Sequence, residues 1–383
     1  MNIDRHCYIY ILNTHSSGVI QKIRHHLLTA ENLKLEMDWY IFGDESVRQS
    51  LDDLLNLERL NFQILPEVSS KFGRLRRRLF KYRLVDKTVP WHLYKAAVIR
   101  YAWSIDPYAL IFFWRRGRML FTEHNTLELH ELSTMSYFGK LGPLLGFLES
   151  LISPWTLSQV RGSVAVTSEI ALDLKKRCGV RSIQVIANGV QDKSILPRHV
   201  KEGCKKLIFV GSPGMNWHGR DRIIELAKLL TEFQFYLVGE SESLSQNLSL
   251  PNVKYYDKLD QDQLDELIAN CDAGFGTMAL ERKLMVEACP LKVRNYLSLG
   301  VPVIINYWDT DLSGNGLDFV LQLPKVYDSL DEQAELIRKF LGSNPKNKYQ
   351  NKLREFVTDK LDWKVKFEQL VEYLRSETTS KQL

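Results

Sequence analysis

The sequence predicts an α/β fold of two doubly wound domains, and three observations carry that expectation. Short apolar runs alternate with amphipathic stretches along the whole chain, the pattern of parallel sheets with right-handed helical crossovers. The alternation restarts after a polar stretch, Gln191–Lys205, which contains Pro197 and has no clear period. The length of 383 residues, 45% of them hydrophobic, suits two or three domains with cores of their own. The expected division is a first domain over 1–195, a linker over 196–205 and a second domain over 206–361. A helix and tail over 362–383 are expected to pack back on the first domain.

In the first half, Cys7–Leu12 is a continuous apolar run, as in a strand buried on both faces. A polar turn follows, then Val19, Ile23 and Leu27 recur at helical spacing. Met37–Phe42 reads as the next strand. Trp91–Trp103 reads as a helix with Pro90 at its start, and Ala109–Phe113 and Arg118–Phe121 read as strands. Ser163–Val166, helix Glu169–Cys178 and Ser182–Ile186 complete this half. The second half gives strands at Lys206–Val210, Gln234–Val238, Val253–Tyr256, Ala273–Thr277 and Val301–Ile305. Its helices are Asp221–Leu230, Asp262–Ala269 and Lys292–Leu299, and Trp363–Leu374 is a final amphipathic helix.

The net charge of +5 is unevenly placed. Residues 1–195 hold 26 Lys+Arg against 19 Asp+Glu, or +7, so the remainder, with 25 against 27, is −2. Most of the excess lies in Lys71–Arg83, where seven of thirteen residues are basic. Phe72, Leu75, Leu79 and Tyr82 form one helical stripe there, with Arg74, Arg76, Arg77, Arg78 and Lys81 around it. That is the composition of an interfacial helix on anionic lipid, where each basic residue contributes about 1 kcal/mol. Nucleic-acid binding is not expected, since no recognition motif accompanies the charge. The 5 cysteines are scattered, which argues against a disulfide framework or a zinc knuckle. No apolar stretch is long enough to span a bilayer, and the N-terminus lacks the order of a signal peptide. The expected setting is therefore cytoplasmic, with peripheral attachment at the inner membrane face.

Ligands of open parallel sheets bind outside the carboxyl ends of the strands. After Val210 stands Gly211-Ser-Pro-Gly-Met-Asn-Trp-His-Gly219 and then Arg220, a glycine-rich passage from strand to helix. Free N–H groups at such a helix start suit a phosphate, and Arg220 and Arg222 add to the field. A second constellation runs from Glu287 through Cys289-Pro290 into a helix bearing Lys292 and Arg294, and ends in Gly300-Val-Pro-Val303. A carboxylate ahead of that helix can accept hydrogen bonds from sugar hydroxyls, beside a helix end suited to phosphate.

This segment resembles the signature of retaining GT-B glycosyltransferases of the family 4 type. That family carries two glutamates eight positions apart, followed by a Gly-x-Pro-Val strand. Glu287 matches the first glutamate and Gly300-Val-Pro-Val303 the strand entry. Ser16-Ser-Gly-Val19 with Lys22, Glu123-His-Asn125, Val166-Thr-Ser-Glu169, Val185-Ile-Ala-Asn-Gly-Val190, Phe209-Val-Gly211 and Tyr236-Leu-Val-Gly-Glu240 fall in family order, so the resemblance covers nearly the whole chain. It implies a cleft between two Rossmann-like domains, with the acceptor on the N-terminal one and the donor on the C-terminal one.

The resemblance implies Glu287 and His124 as catalytic residues. It implies donor contacts from Gly18, Gly211, Ser212, His218, Gly219, Glu240 and Asn295, and the chain's own residues offer Arg220, Lys292 and Arg294 as further donor contacts that neutralise the diphosphate. The donor would be a UDP- or GDP-linked sugar and the acceptor a lipid-linked glycan, with no cofactor and no metal. The chain departs from the pattern at Asn295, which replaces the second glutamate. It departs again at Ser212 and His218, which stand where the family has fixed cations. Two rivals follow: a nucleotide-sugar epimerase of the same fold, and a non-catalytic partner that keeps the fold.

Overall fold

The computed structural model describes residues 5–12, 17–65, 81–101, 103–134, 141–191, 193, 204–212, 214–239, 250–324 and 329–379. The chain divides into two compact units, Met1–Ile186 with Lys366–Leu383, and Ala187–Val365.

The first unit is built on seven parallel strands: β1 His6–Ile11, β2 Met37–Gly43, β3 Leu60–Ile64, β4 Ala96–Arg100, β5 Leu120–His124, β6 Gly162–Ala165 and β7 Ile183–Val185. Their order is β3-β2-β1-β4-β5-β6-β7. The apolar run of β1 is buried along its whole length because it lies between β2 and β4. Helix α1 (Ser17–Asn32) follows β1. On one sheet face Tyr8 stacks on Trp39 with ring centres 4.9 Å apart, and the Tyr10 hydroxyl meets His26 Nδ1 at 2.9 Å. Phe367 closes this aromatic layer, edge-on to His26 at 4.8 Å, and Tyr373 packs on Phe121. These contacts belong to the last helix, Trp363–Thr379, and bring the end of the chain into the first unit.

Two expectations are corrected here. Trp91–Trp103 is no helix: a single 3-10 turn, Trp91–Leu93, leads into strand β4. Residues 96–100 are needed between β1 and β5, and that sheet position overrides the local helical spacing of the aromatics. Ala109–Phe113 is no strand but the start of helix α2 (Ala109–Arg116), which buries Ala109, Phe112 and Phe113. A further long helix, α3 (Gly142–Ser158), packs beside α2 between β5 and β6.

The second unit carries six parallel strands in the order β10-β9-β8-β11-β13-β15. These are β8 Lys206–Val210, β9 Gln234–Val238, β10 Val253–Tyr256, β11 Ala273–Phe275, β13 Val303–Ile305 and β15 Val320–Gln322. Helices α4 (Arg220–Leu229), α5 (Gln261–Ala269) and α6 (Leu291–Ser298) lie between them, near the expected bounds. A separate two-stranded ladder pairs β12 (Glu287–Ala288) with β14 (Trp308–Asp309). The core joins Phe209, Ile223, Phe235, Phe275 and Ile304.

Candidate functional site

In the second unit, two loops meet beyond the end of β8. The Gly211 N–H donates to the Val238 carbonyl at 2.9 Å. A Cβ on Gly239, whose φ is +89°, would lie 2.5 Å from the Gly211 carbonyl oxygen. The ends of β8 and β9 therefore approach so closely that only glycine fits at 239. The Ser212 N–H donates to His218 Nδ1 at 3.2 Å, which folds the glycine-rich loop onto its own histidine. Gly219 caps α4 with φ +73°, and a Cβ there would stand 2.7 Å from the Met278 backbone.

His218 stands edge-on to Phe209 at 6.1 Å, and the Lys292 ammonium lies over the same ring, 4.4 Å from its centre. Burial first, then the charges of Lys292 and Lys283, push the His218 pKa down to about 3. The ring is neutral at pH 7. Because Nδ1 accepts from Ser212, its hydrogen sits on Nε2, which makes that nitrogen a donor. The loop N–H groups of Gly211, Ser212 and Gly219 are spent within the fold, so the cluster presents the His218 Nε2–H and the Lys292 cation at the end of β8. Arg220, in the first turn of α4, holds its guanidinium over Tyr255, 5.5 Å from the ring centre.

Glu287 is half-buried in β12, three residues before Pro290, which caps α6. Two residues of the same neighbourhood turn elsewhere. Arg294 is fully buried, so its expected contact with a diphosphate is corrected. Its guanidinium is paired end-on with Asp309, reaches Asp311 at 3.0 Å and donates from Nε to the Asn188 carbonyl at 3.2 Å. This pairing also engages both carboxylates of Asp309-Thr-Asp311. Asn295 accepts from Lys193 at 3.2 Å and donates to Asp265 at 3.1 Å, and Lys193 and Asp265 form an ion pair. Asp265 therefore brings a carboxylate beside Asn295 from another helix. No sequence motif singles it out, because on α5 it is one of three acids.

In the first unit, Gly18 lies in the first turn of α1, half-buried. One turn on, buried Lys22 bonds Glu123 at 2.5 Å and Asn125 at 2.8 Å, at the end of β5. Burial alone would raise the Glu123 carboxyl, but Lys22 and then His26 outweigh it and hold the pKa at about 2. His124 turns to the other face and is fully buried, Nδ1 2.9 Å from Glu128 and Nε2 3.0 Å from Thr122. Both ring nitrogens are engaged inside the unit, which corrects the expected contact of His124 with a sugar. Strand alternation is the cause: if Glu123 faces α1, its neighbour faces the opposite layer. Glu240, Arg74, Arg76, Arg77 and Arg78 lie outside the described residues, while Lys81 is buried, with its ammonium over Tyr82 at 4.9 Å.

Two parallel sheets in these strand orders, with helices between successive strands, define the GT-B fold. No family model and no curated protein matches the sequence. Solved structures do match in fold along almost the whole chain. Sucrose-phosphate synthase from Thermosynechococcus elongatus is similar at TM-score 0.71 and 13% identity, covering 98% of this chain and 100% of its own. Anabaena HepE in complex with UDP-glucose gives 0.64 and 15%, over 97% and 99%. WaaG, a glycosyltransferase involved in lipopolysaccharide biosynthesis, gives 0.59 and 16%, over 96% and 99%.

Proposed function

We propose that this chain is a retaining, metal-independent glycosyltransferase of the family 4 type. It moves a hexose from a UDP- or GDP-linked donor to a lipid-linked glycan in bacterial surface-polysaccharide synthesis, at the inner face of the cytoplasmic membrane. One observation carries the reading: the tight turn through Gly211 and Gly219 holds one neutral donor, His218 Nε2–H, and one cation, Lys292, beyond the end of β8, beside a helix start. Fold neighbours that bind UDP-glucose or serve lipopolysaccharide synthesis support it by analogy.

Breaking the anomeric bond develops negative charge on the leaving diphosphate. Lys292 and the His218 Nε2–H stabilise that charge where it forms. Glu287 accepts hydrogen bonds from the sugar's hydroxyls and orients it. The leaving phosphate itself takes the acceptor's proton, so retention needs no protein base. Glu287→Ala is expected to lower kcat/KM by about 100-fold or more, the cost of a misplaced sugar, with thermal stability unchanged. Near-wild-type transfer by this variant would overturn the assignment.

The engagement of His124 and Asn295 within their own units favours a second reading, a non-catalytic partner that keeps the donor fold. Donor binding without turnover, in the presence of acceptor, would select it. Interconversion of the donor sugar without transfer would select an epimerase.

A further inference from the structure

Helix α3 is inside out. Its buried positions are Gly142, Gly146, Glu149, Ser153, Thr156 and Leu157. They hold a polar network: Glu149 accepts from the Tyr101 hydroxyl at 2.5 Å and the Ser104 N–H at 2.7 Å, Thr156 meets Ser104 at 2.7 Å, and Ser153 accepts from Arg177 at 2.6 Å. Glu149 is the helix's single ionisable side chain, and it points inward. The outward face is apolar: Leu144, Phe147, Leu151 and Trp155 are all more than 40% exposed, and Leu141 precedes them. A helix that hides its charge and shows its leucines needs a cover that is not water.

The neighbouring helix α2 extends the same face. Both helices cross between consecutive strands of the order β4-β5-β6, and right-handed crossovers place them in one layer. Leu110, Ile111 and Trp114 are exposed on α2, Trp114 to 69%. The C-terminal ends of the two helices meet, since a Cβ on Gly117 would touch the Gln159 backbone. Trp114 and Trp155 therefore sit at one end of the patch, with exposed Arg118 beside them and Arg115 paired to Asp86 at 3.3 Å. Tyr82 of helix Lys81–Thr88 stacks on Phe112 of α2.

We propose that the outward face of α3 and α2 docks in the interfacial layer of an anionic membrane. The apolar stripe enters the acyl boundary, the tryptophans lie at headgroup level and Arg118 meets lipid phosphate. No helix among the described residues is long and apolar enough to cross a membrane, so the contact is attachment at the surface. A second copy of the chain would bring Arg118 against its own counterpart, whereas an anionic leaflet complements both stripe and charge.

The surface is independent of sugar transfer, and the experiment separates the two. Full-length protein is floated with phosphatidylcholine vesicles, with and without phosphatidylglycerol. Wild type is expected to float with the anionic vesicles. The exposed triple variant Leu144→Ser, Phe147→Ser, Leu151→Ser should lose partitioning at least tenfold, with the same melting temperature and the same stabilisation by UDP-glucose. Arg118→Gln should lose several-fold on anionic vesicles and nothing on neutral ones. Wild type that binds neither vesicle, or a triple variant that floats like wild type, would overturn the proposal. So would a wild-type dimer that the triple variant turns into a monomer. Vesicle binding without any nucleotide-sugar effect would keep the surface and remove the transfer reading.

Discussion

Gly219 shows how a single residue fixes the loop on which the donor reading rests. Its positive φ is open to glycine at no cost, and a Cβ would collide with the backbone at Met278. Gly219→Ala should cost about 1–3 kcal/mol in denaturant unfolding and abolish stabilisation by nucleotide-sugars. Arg294 teaches the opposite lesson. Breaking a buried ion pair costs about 3–5 kcal/mol because the partner charge is left unpaired. Arg294→Met should therefore lower stability by that order, and Asp309→Leu added to it should restore part of the loss. A diphosphate-binding arginine would instead raise KM with stability unchanged. Glu123 gives a pH signature. Its carboxyl lies near 2 in the folded chain against an ordinary 4.5, so the unfolded state binds more protons between those values. Stability from this group is full above pH 4.5 and is lost as the pH falls toward 2. Wild type should lose on the order of 3 kcal/mol across that window, and Glu123→Gln should not.

At the scale of elements, legibility followed burial pattern. Strands β1 and β2 are apolar and buried on both faces, and the second half alternates cleanly, so both read directly from sequence. Residues 91–103 misled because aromatic side chains recur there at helical spacing while the sheet needs a strand at 96–100. The run Ala109–Phe113 is too short and too uniformly apolar for period alone to decide between strand and helix. Helix α3 gave no amphipathic signal pointing inward, because its inner face is polar and its outer face is apolar. That reversal makes an element-scale prediction: Leu151→Asp should leave the unfolding free energy within about 0.5 kcal/mol of wild type, since the side chain is exposed. A core helix would lose several times that.

For the whole molecule, the reading predicts that one nucleotide-sugar stabilises the chain. At a hundredfold excess over Kd the gain is about 3 kcal/mol, visible as a rise of several degrees in a thermal scan of UDP- and GDP-sugars. Such a rise with no transfer activity would favour the non-catalytic reading. The His218 pKa of about 3 adds that this histidine should contribute no ionisation to the pH–rate profile between pH 5 and 8. Hydrophobic periodicity and strand–helix alternation depend on neighbours a few positions apart, so the linear sequence carried the α/β class, the restart of the pattern, Gly219 and the place of Glu287. Which face of β5 carries Glu123 and which carries His124 depends on contacts between residues a hundred positions apart, and the partner that Arg294 takes depends on a strand 15 positions on. Lys22 is buried against Glu123 across 101 positions, and Asp265 meets Asn295 across 30. Those choices arise only when strands pair and helices pack, because burial and charge neutralisation are properties of the assembled neighbourhood.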